Sequence, residues 1–127
     1  MPLIRLDEIE KEFVTPKYSS AFGELVAGDR IEVGRLRFDA NEGAVEHAHP
    51  QEQVMIIISG RLRVEIASEG EDAELGPGEG FHARSNVPHR VTALEDTVVI
   101  SCKDVVDGVG HKVAPGELDR LKELGKA

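Results

Sequence analysis

The 127-residue sequence predicts an all-β fold, a sandwich or barrel of short strands, followed by a short C-terminal helix. Three observations carry this prediction. Short apolar runs recur at close, regular intervals from Ile31 onward. Residues 61–67, RLRVEIA, alternate strictly, with Leu62, Val64 and Ile66 to one side and Arg61, Arg63 and Glu65 to the other. Thirteen glycines and six prolines fall mostly between the apolar runs, where a fold of many turns needs them.

Residues 1–30 read as a leader of irregular or short helical and strand pieces. In IEVGRLRFDA, Ile31 and Val33 share one phase and Leu36 and Phe38 the other, so the slip at Gly34 predicts a β-bulge. NEG at 41–43 is a turn signal. EQVMIIIS is apolar on both faces, as expected for a strand between the core and a second layer, and Gly60 ends it. SEGEDAE predicts a polar hairpin loop, and LGPGEG a sharp turn at Pro77 and Gly78. FHARS, HRVTAL and TVVISCK supply further strands, separated by SNVP and EDT.

The tail changes character. PGELDRLKELG opens with a proline suited to a first helical turn, places Glu117 and Asp119 near the positive end of the dipole, and ends in Gly125 as a cap. Leu118, Leu121 and Leu124 form one stripe, predicting a helix over 115–124 that packs on the barrel or on a partner chain. The whole reads as one domain, with a leader over 1–30, a barrel over 31–103 and a tail over 104–127.

Composition excludes several functions. A net charge of −9 without any basic run argues against nucleic acid. No apolar stretch has the length of a membrane span. MPLIRLDEIEKEF is acidic and amphipathic rather than an export signal, so a cytoplasmic location is expected. Cys102 is the single cysteine, which rules out an intrachain disulfide and a CxxC metal site; within TVVISCK it reads as a small buried hydrophobe.

The chemistry concentrates in HAHPQEQ, residues 47–53. On a strand His47 and His49 project from one face and Gln53 shares their parity, although Pro50 interrupts the run. Taken alone, the stretch is equally a solvated strand edge. A second cluster, FHARSNVPH, ends at His89 on a loop-to-strand junction. Three neutral imidazoles and one oxygen donor suit a first-row divalent metal, provided the barrel brings the two hairpins together.

Together these segments resemble a known family. GAVEHAHPQEQVMIIISG is similar to the first cupin motif, through Gly43 (one residue nearer the histidines than usual), His47, His49, Gln53 and Gly60. LGPGEGFHARSNVPH is similar to the second, through Pro77, Gly78, Asn86, Pro88 and His89. The resemblance spans residues 31–103 and is to the small single-domain bacterial cupins of the type-2, RmlC-like kind. It implies a double-stranded β-helix, or jelly-roll barrel, with His47, His49, Gln53 and His89 holding one divalent transition metal (Fe, Mn, Ni, Zn or Cu) in its mouth. It also implies a small-molecule substrate and a homodimer, to which the tail helix, the leader and the apolar sheet content add. Gln53 departs from the more common glutamate, and Gly80, Phe81 and His82 replace a more aliphatic run.

Other groups are weighed beside these ligands. His82 is a candidate acid–base group and Arg84 a candidate clamp for a substrate carboxylate, against an outward or surface placement of each. Tyr18, Arg35, Arg37, Arg61 and Arg63 are further pocket candidates, the last two reading better as a solvated sheet face. His111, in a glycine-flanked loop, reads as exposed, and Glu46 and Glu52 as the solvated backs of the ligand strand.

An amide in place of a carboxylate leaves a divalent ion its full charge, which predicts a stronger Lewis acid and, for Gln53→Glu, tighter metal binding with altered catalysis. Three functions stay open: a Lewis-acid isomerase or lyase acting on a small oxygen-rich or carbonyl substrate, an iron or manganese dioxygenase, and a non-catalytic binder of a small ligand or metal. Glutamine-bearing small cupins include the pectin-degradation type, but ISCKDVVDG lacks the segment those relatives carry after the barrel, so their reaction is not carried over.

Overall fold

Ten strands build two facing antiparallel sheets in this computed structural model, which describes residues 3–16 and 18–112. They are β1 (Glu12–Phe13), β2 (Phe22–Ala27), β3 (Ile31–Phe38), β4 (Gly43–His47), β5 (Gln53–Ser59), β6 (Leu62–Ile66), β7 (Glu71–Leu75), β8 (Gly80–Ala83), β9 (His89–Ala93) and β10 (Thr97–Asp104). The larger sheet runs β1-β2-β3-β10-β5-β8 and the smaller β4-β9-β6-β7. Short 3-10 turns cover Leu6–Glu8 and Ala67–Glu69. The helix expected over 115–124 lies outside the described residues. Among the described residues, no helix is long and apolar enough to cross a membrane.

Alternation builds the core. Leu36 and Phe38 of β3, Met55 and Ile57 of β5, Leu62, Val64 and Ile66 of β6, Val91 and Ala93 of β9, and Val99 of β10 all point between the sheets and are buried. The same rows turn polar toward one end of the barrel. Inward positions continue from Ile57 and Met55 to Gln53, from Val99 to Ser101 and Lys103, and from Phe38 and Leu36 through Gly34 to Glu32. Register aligns these ends, with Lys103 opposite both Gln53 and Glu32.

The bulge expected at Gly34 does not form. β3 pairs without interruption against both β2 and β10. Ile31 and Val33 instead face outward, and Gly34 takes an inward position already filled by its neighbours: a Cβ there would lie 2.8 Å from Leu25 Cδ2 and 3.2 Å from Leu36 Cγ. The irregularity falls on β5 against β10, between Val98 and Val99.

SEGEDAE also differs from the loop expected of it. Gly70, at φ 69°, closes the 3-10 turn, and Glu71–Leu75 is a strand pairing with β6. Its acidic residues suit a sheet edge, where charge discourages further pairing, and Arg63 reaches across to Asp72 at 2.9 Å.

The outer face of the larger sheet is apolar. Val54, Ile56 and Ile58 of β5 are exposed, and Cys102 sits half-buried on the same face of β10, opposite Val33 and Val54, rather than in the core. Beside it the leader covers the other half of that face. Arg35 there bonds Glu24, which is 3% exposed, and Asp7 at 2.7 Å.

Candidate metal centre

His47 is the last residue of β4 and His89 the first of β9, and the two are direct cross-strand partners. Strand parity does not bring His49 to them. It lies in the loop after β4, where Pro50 prevents regular pairing, and Ala48, His49 and Gln51 are all buried. Tertiary contacts hold this loop: the Gln51 side chain donates to the Val109 carbonyl at 2.8 Å, and Asn86 N–H donates to the His49 carbonyl at 2.8 Å.

All three imidazoles are oriented alike. Each Nδ1–H donates to a backbone carbonyl two residues away: His47 to Val45 at 2.7 Å, His49 to Gln51 at 2.9 Å and His89 to Val87 at 3.0 Å. That fixes the proton on Nδ1 and leaves the Nε2 lone pairs converging. One ligand atom from each histidine lies within 4.8 Å of the others. His49 Nε2 and His89 Nε2 are buried with no hydrogen-bond partner. A buried orphaned acceptor costs about 1–3 kcal/mol, so two facing each other are unfavourable unless something binds them. A divalent cation satisfies both.

Burial keeps the ligands in the required charge state. It pushes the His47 imidazole down to about 3, with the neighbouring His89 adding to the effect. Burial pushes His49 down to about 2, with Lys103 next in importance, and His89 is lowered for the same first reason. Neutral imidazoles therefore face the site at neutral pH, and no proton need leave for a metal to bind.

His47 and His89 line a cavity together with Gln53, Tyr18, Lys103 and His111, above an apolar floor. Tyr18 packs against His47 with ring centroids 4.6 Å apart. No carboxylate lines this cavity among the described residues. Gln53, expected as a ligand, is buried beside the histidines, and its amide nitrogen donates to Ser101 Oγ at 2.9 Å.

Other expected groups lie elsewhere. His82 is half-exposed on β8, with Nε2 3.4 Å from Glu52, and Arg84 is exposed beside Glu69 at 3.6 Å; neither lines the cavity. Arg61 and Arg63 face solvent and pair with Glu74 and Asp72. Glu46 and Glu52 are exposed, as expected.

His111 corrects the expectation of an exposed loop residue. It is 3% exposed, with Nε2 2.8 Å from Ser101 Oγ and Nδ1 2.7 Å from Glu32 Oε1. Glu32, Ser101 and Lys103 escaped the sequence reading, although a signal existed for the last two. Ser101 and Lys103 share the phase of Val99 in TVVISCK, so alternation alone points these polar side chains inward.

The family model described as "Cupin domain" matches residues 34–106. Comparison with curated protein sequences finds no significant match. Among solved structures, an RmlC-like cupin from Shewanella frigidimarina NCIMB 400 is similar with a TM-score of 0.73 and 17% identity, covering 84% of this chain and 93% of that one. KdgF from Halomonas sp. is similar with a TM-score of 0.70 and 26% identity, covering 82% and 93%. The polyketide cyclase RemF from Streptomyces resistomycificus is similar with a TM-score of 0.72 and 17% identity, covering 92% and 88%.

Proposed function

The chain belongs to the cupin domain family, and from that premise we propose that it is a metal-dependent enzyme with isomerase- or lyase-type chemistry on a small oxygen-rich or carbonyl substrate. His47, His49, His89 and the amide oxygen of Gln53 would hold one divalent transition metal. The observation that carries the reading is the convergence of three buried imidazoles whose Nδ1 atoms are all committed to carbonyls, two of their Nε2 atoms having no partner.

A bound divalent ion supplies Lewis acidity, polarising a carbonyl or hydroxyl oxygen of the substrate. The protein's own groups define which substrate suits it. All four proposed ligands are neutral and no acid among the described residues lines the cavity, so a bound divalent ion would keep its full charge there. Such a lining favours an anionic substrate such as a carboxylate. The apolar floor of Leu36, Phe38, Met55 and Val91 excludes water from the inner end.

Elemental analysis of untagged protein tests the reading. About one first-row metal per chain, lost in His49→Ala, is the expected result; metal-free protein with unchanged Zn²⁺ and Ni²⁺ titrations in the variant would overturn it. Oxygen uptake that requires iron would replace the isomerase or lyase class with a dioxygenase, whereas equal turnover with zinc or nickel supports it.

A further inference from the structure

We propose that Glu32, His111 and Ser101 form a hydrogen-bonded chain that turns the Gln53 amide so that its carbonyl oxygen, and not its nitrogen, is presented to the metal site. The proposal rests on the metal-site reading above and assigns three positioning residues to it.

The direction of every bond in the chain is set from its far end. Glu32 Oε1 accepts from the backbone N–H of His111 and from its Nδ1–H, both at 2.7 Å. A carboxylate that accepts twice puts the ring proton on Nδ1 and leaves Nε2 an acceptor. Ser101 Oγ, 2.8 Å from that Nε2, must then donate its only proton to it. With its proton committed, Ser101 Oγ can only accept from residue 53, and Gln53 Nε2 donates to it at 2.9 Å. The carbonyl oxygen is the end of the amide that remains. A glutamate at position 53 has no proton to offer Ser101, so the chain selects glutamine and keeps the metal site free of negative charge.

The arrangement superficially matches a Ser-His-Glu nucleophilic triad. Ser101 is 0% exposed, and its oxygen is already engaged by Gln53. No substrate carbon can approach it, so the three residues serve the amide rather than attack a substrate.

The test uses full-length, metal-stripped protein titrated with Co²⁺, read by visible absorption and by competition with a chelator. Q53A and S101A are each expected to lower Co²⁺ affinity about 10- to 100-fold, the range typical of partners that orient a ligand. S101A should take on the Q53A absorption spectrum, and the double variant should fall no further than Q53A, because both changes remove one interaction. E32A is expected to weaken binding, while E32Q, whose side-chain oxygen still accepts both His111 protons, retains it. Unchanged affinity in S101A, or losses that multiply in the double variant, would overturn the chain. Normal affinity in Q53A with loss in H49A would overturn it while the histidine site stands. Normal affinity in H49A would overturn both. Should S101A not fold, the contrast between E32A and E32Q decides.

Discussion

His47 and His89 face each other directly across β4 and β9, with ring centroids 4.5 Å apart, although 42 positions separate them in the chain (89 − 47). An antiparallel pair brings opposed side chains within about 5 Å, so one register choice makes two ligands neighbours. His49 then needs only a bend in the following loop to come within 4.9 Å of His89, ring centre to ring centre.

From this pair follows a stability prediction. A metal binding only the folded state at about 1,000 times its Kd stabilises by about 4 kcal/mol. Thermal melting with and without Zn²⁺ is expected to show an upward shift in the native protein and none in His89→Ala. An equal shift in both would remove His89 from the site.

Acid should destabilise the metal-free protein through these same groups. His47 and His49 resist protonation down to about 3 and about 2 because they are buried, whereas the unfolded chain takes up protons near 6.5. Below 6.5 the unfolded state therefore binds more protons, and stability falls as pH falls until the folded His47 protonates near 3 and His49 near 2. Each such histidine contributes up to about 1.4 kcal/mol per pH unit within that window. Urea midpoints measured between pH 7.5 and 5 are expected to drop, with a shallower slope in His49→Ala; identical slopes would count against neutral burial of His49.

Gln53→Glu should separate two effects. A carboxylate adds charge attraction to a divalent ion and is expected to tighten metal binding. It also draws the Ser101 hydroxyl away from His111 Nε2, now at 2.8 Å, leaving a buried acceptor unpaired. That costs about 1–3 kcal/mol, a fall in metal-free melting temperature of roughly 3–10 °C. Calorimetry showing unchanged metal affinity and unchanged melting would refute both parts.

The outer face of β5 makes a different prediction. Where a sheet meets water the strand alternates, as β6 does with Arg63 and Glu65, yet β5 leaves Val54, Ile56 and Ile58 at 40%, 37% and 52% exposure. We propose that two copies pair through this face. Light scattering is expected to give twice the chain mass, and Ile56→Lys a monomer that still binds metal; a native monomer would sink the idea.

Much of this protein was legible in its residues one strand at a time. Alternation in RLRVEIA located β6 and its buried side, and Gly60, Asn86 and the Pro77-Gly78 pair marked turns where the backbone does adopt positive φ at Gly60, Gly78 and Asn86. HAHPQEQ and the distant His89 offered the three imidazoles as candidates, and the likeness to the two cupin motifs implied the ligand role for them. β7 was hidden because an edge strand made of acids has a loop's composition.

What the linear sequence determined by itself was local: which side chains β6 turns inward, and which residue types could hold a metal. Only tertiary structure decided which of those side chains meet. Register set Lys103 against both Gln53 and Glu32, the loop at Pro50 swung His49 inward, and the segment after β10 carried His111 back onto Ser101. The reason is physical. Periodicity reports the direction of a side chain relative to its own strand, whereas a hydrogen-bond chain running from Glu32 to Gln53 depends on four separate stretches closing on one point, and no single stretch carries that information.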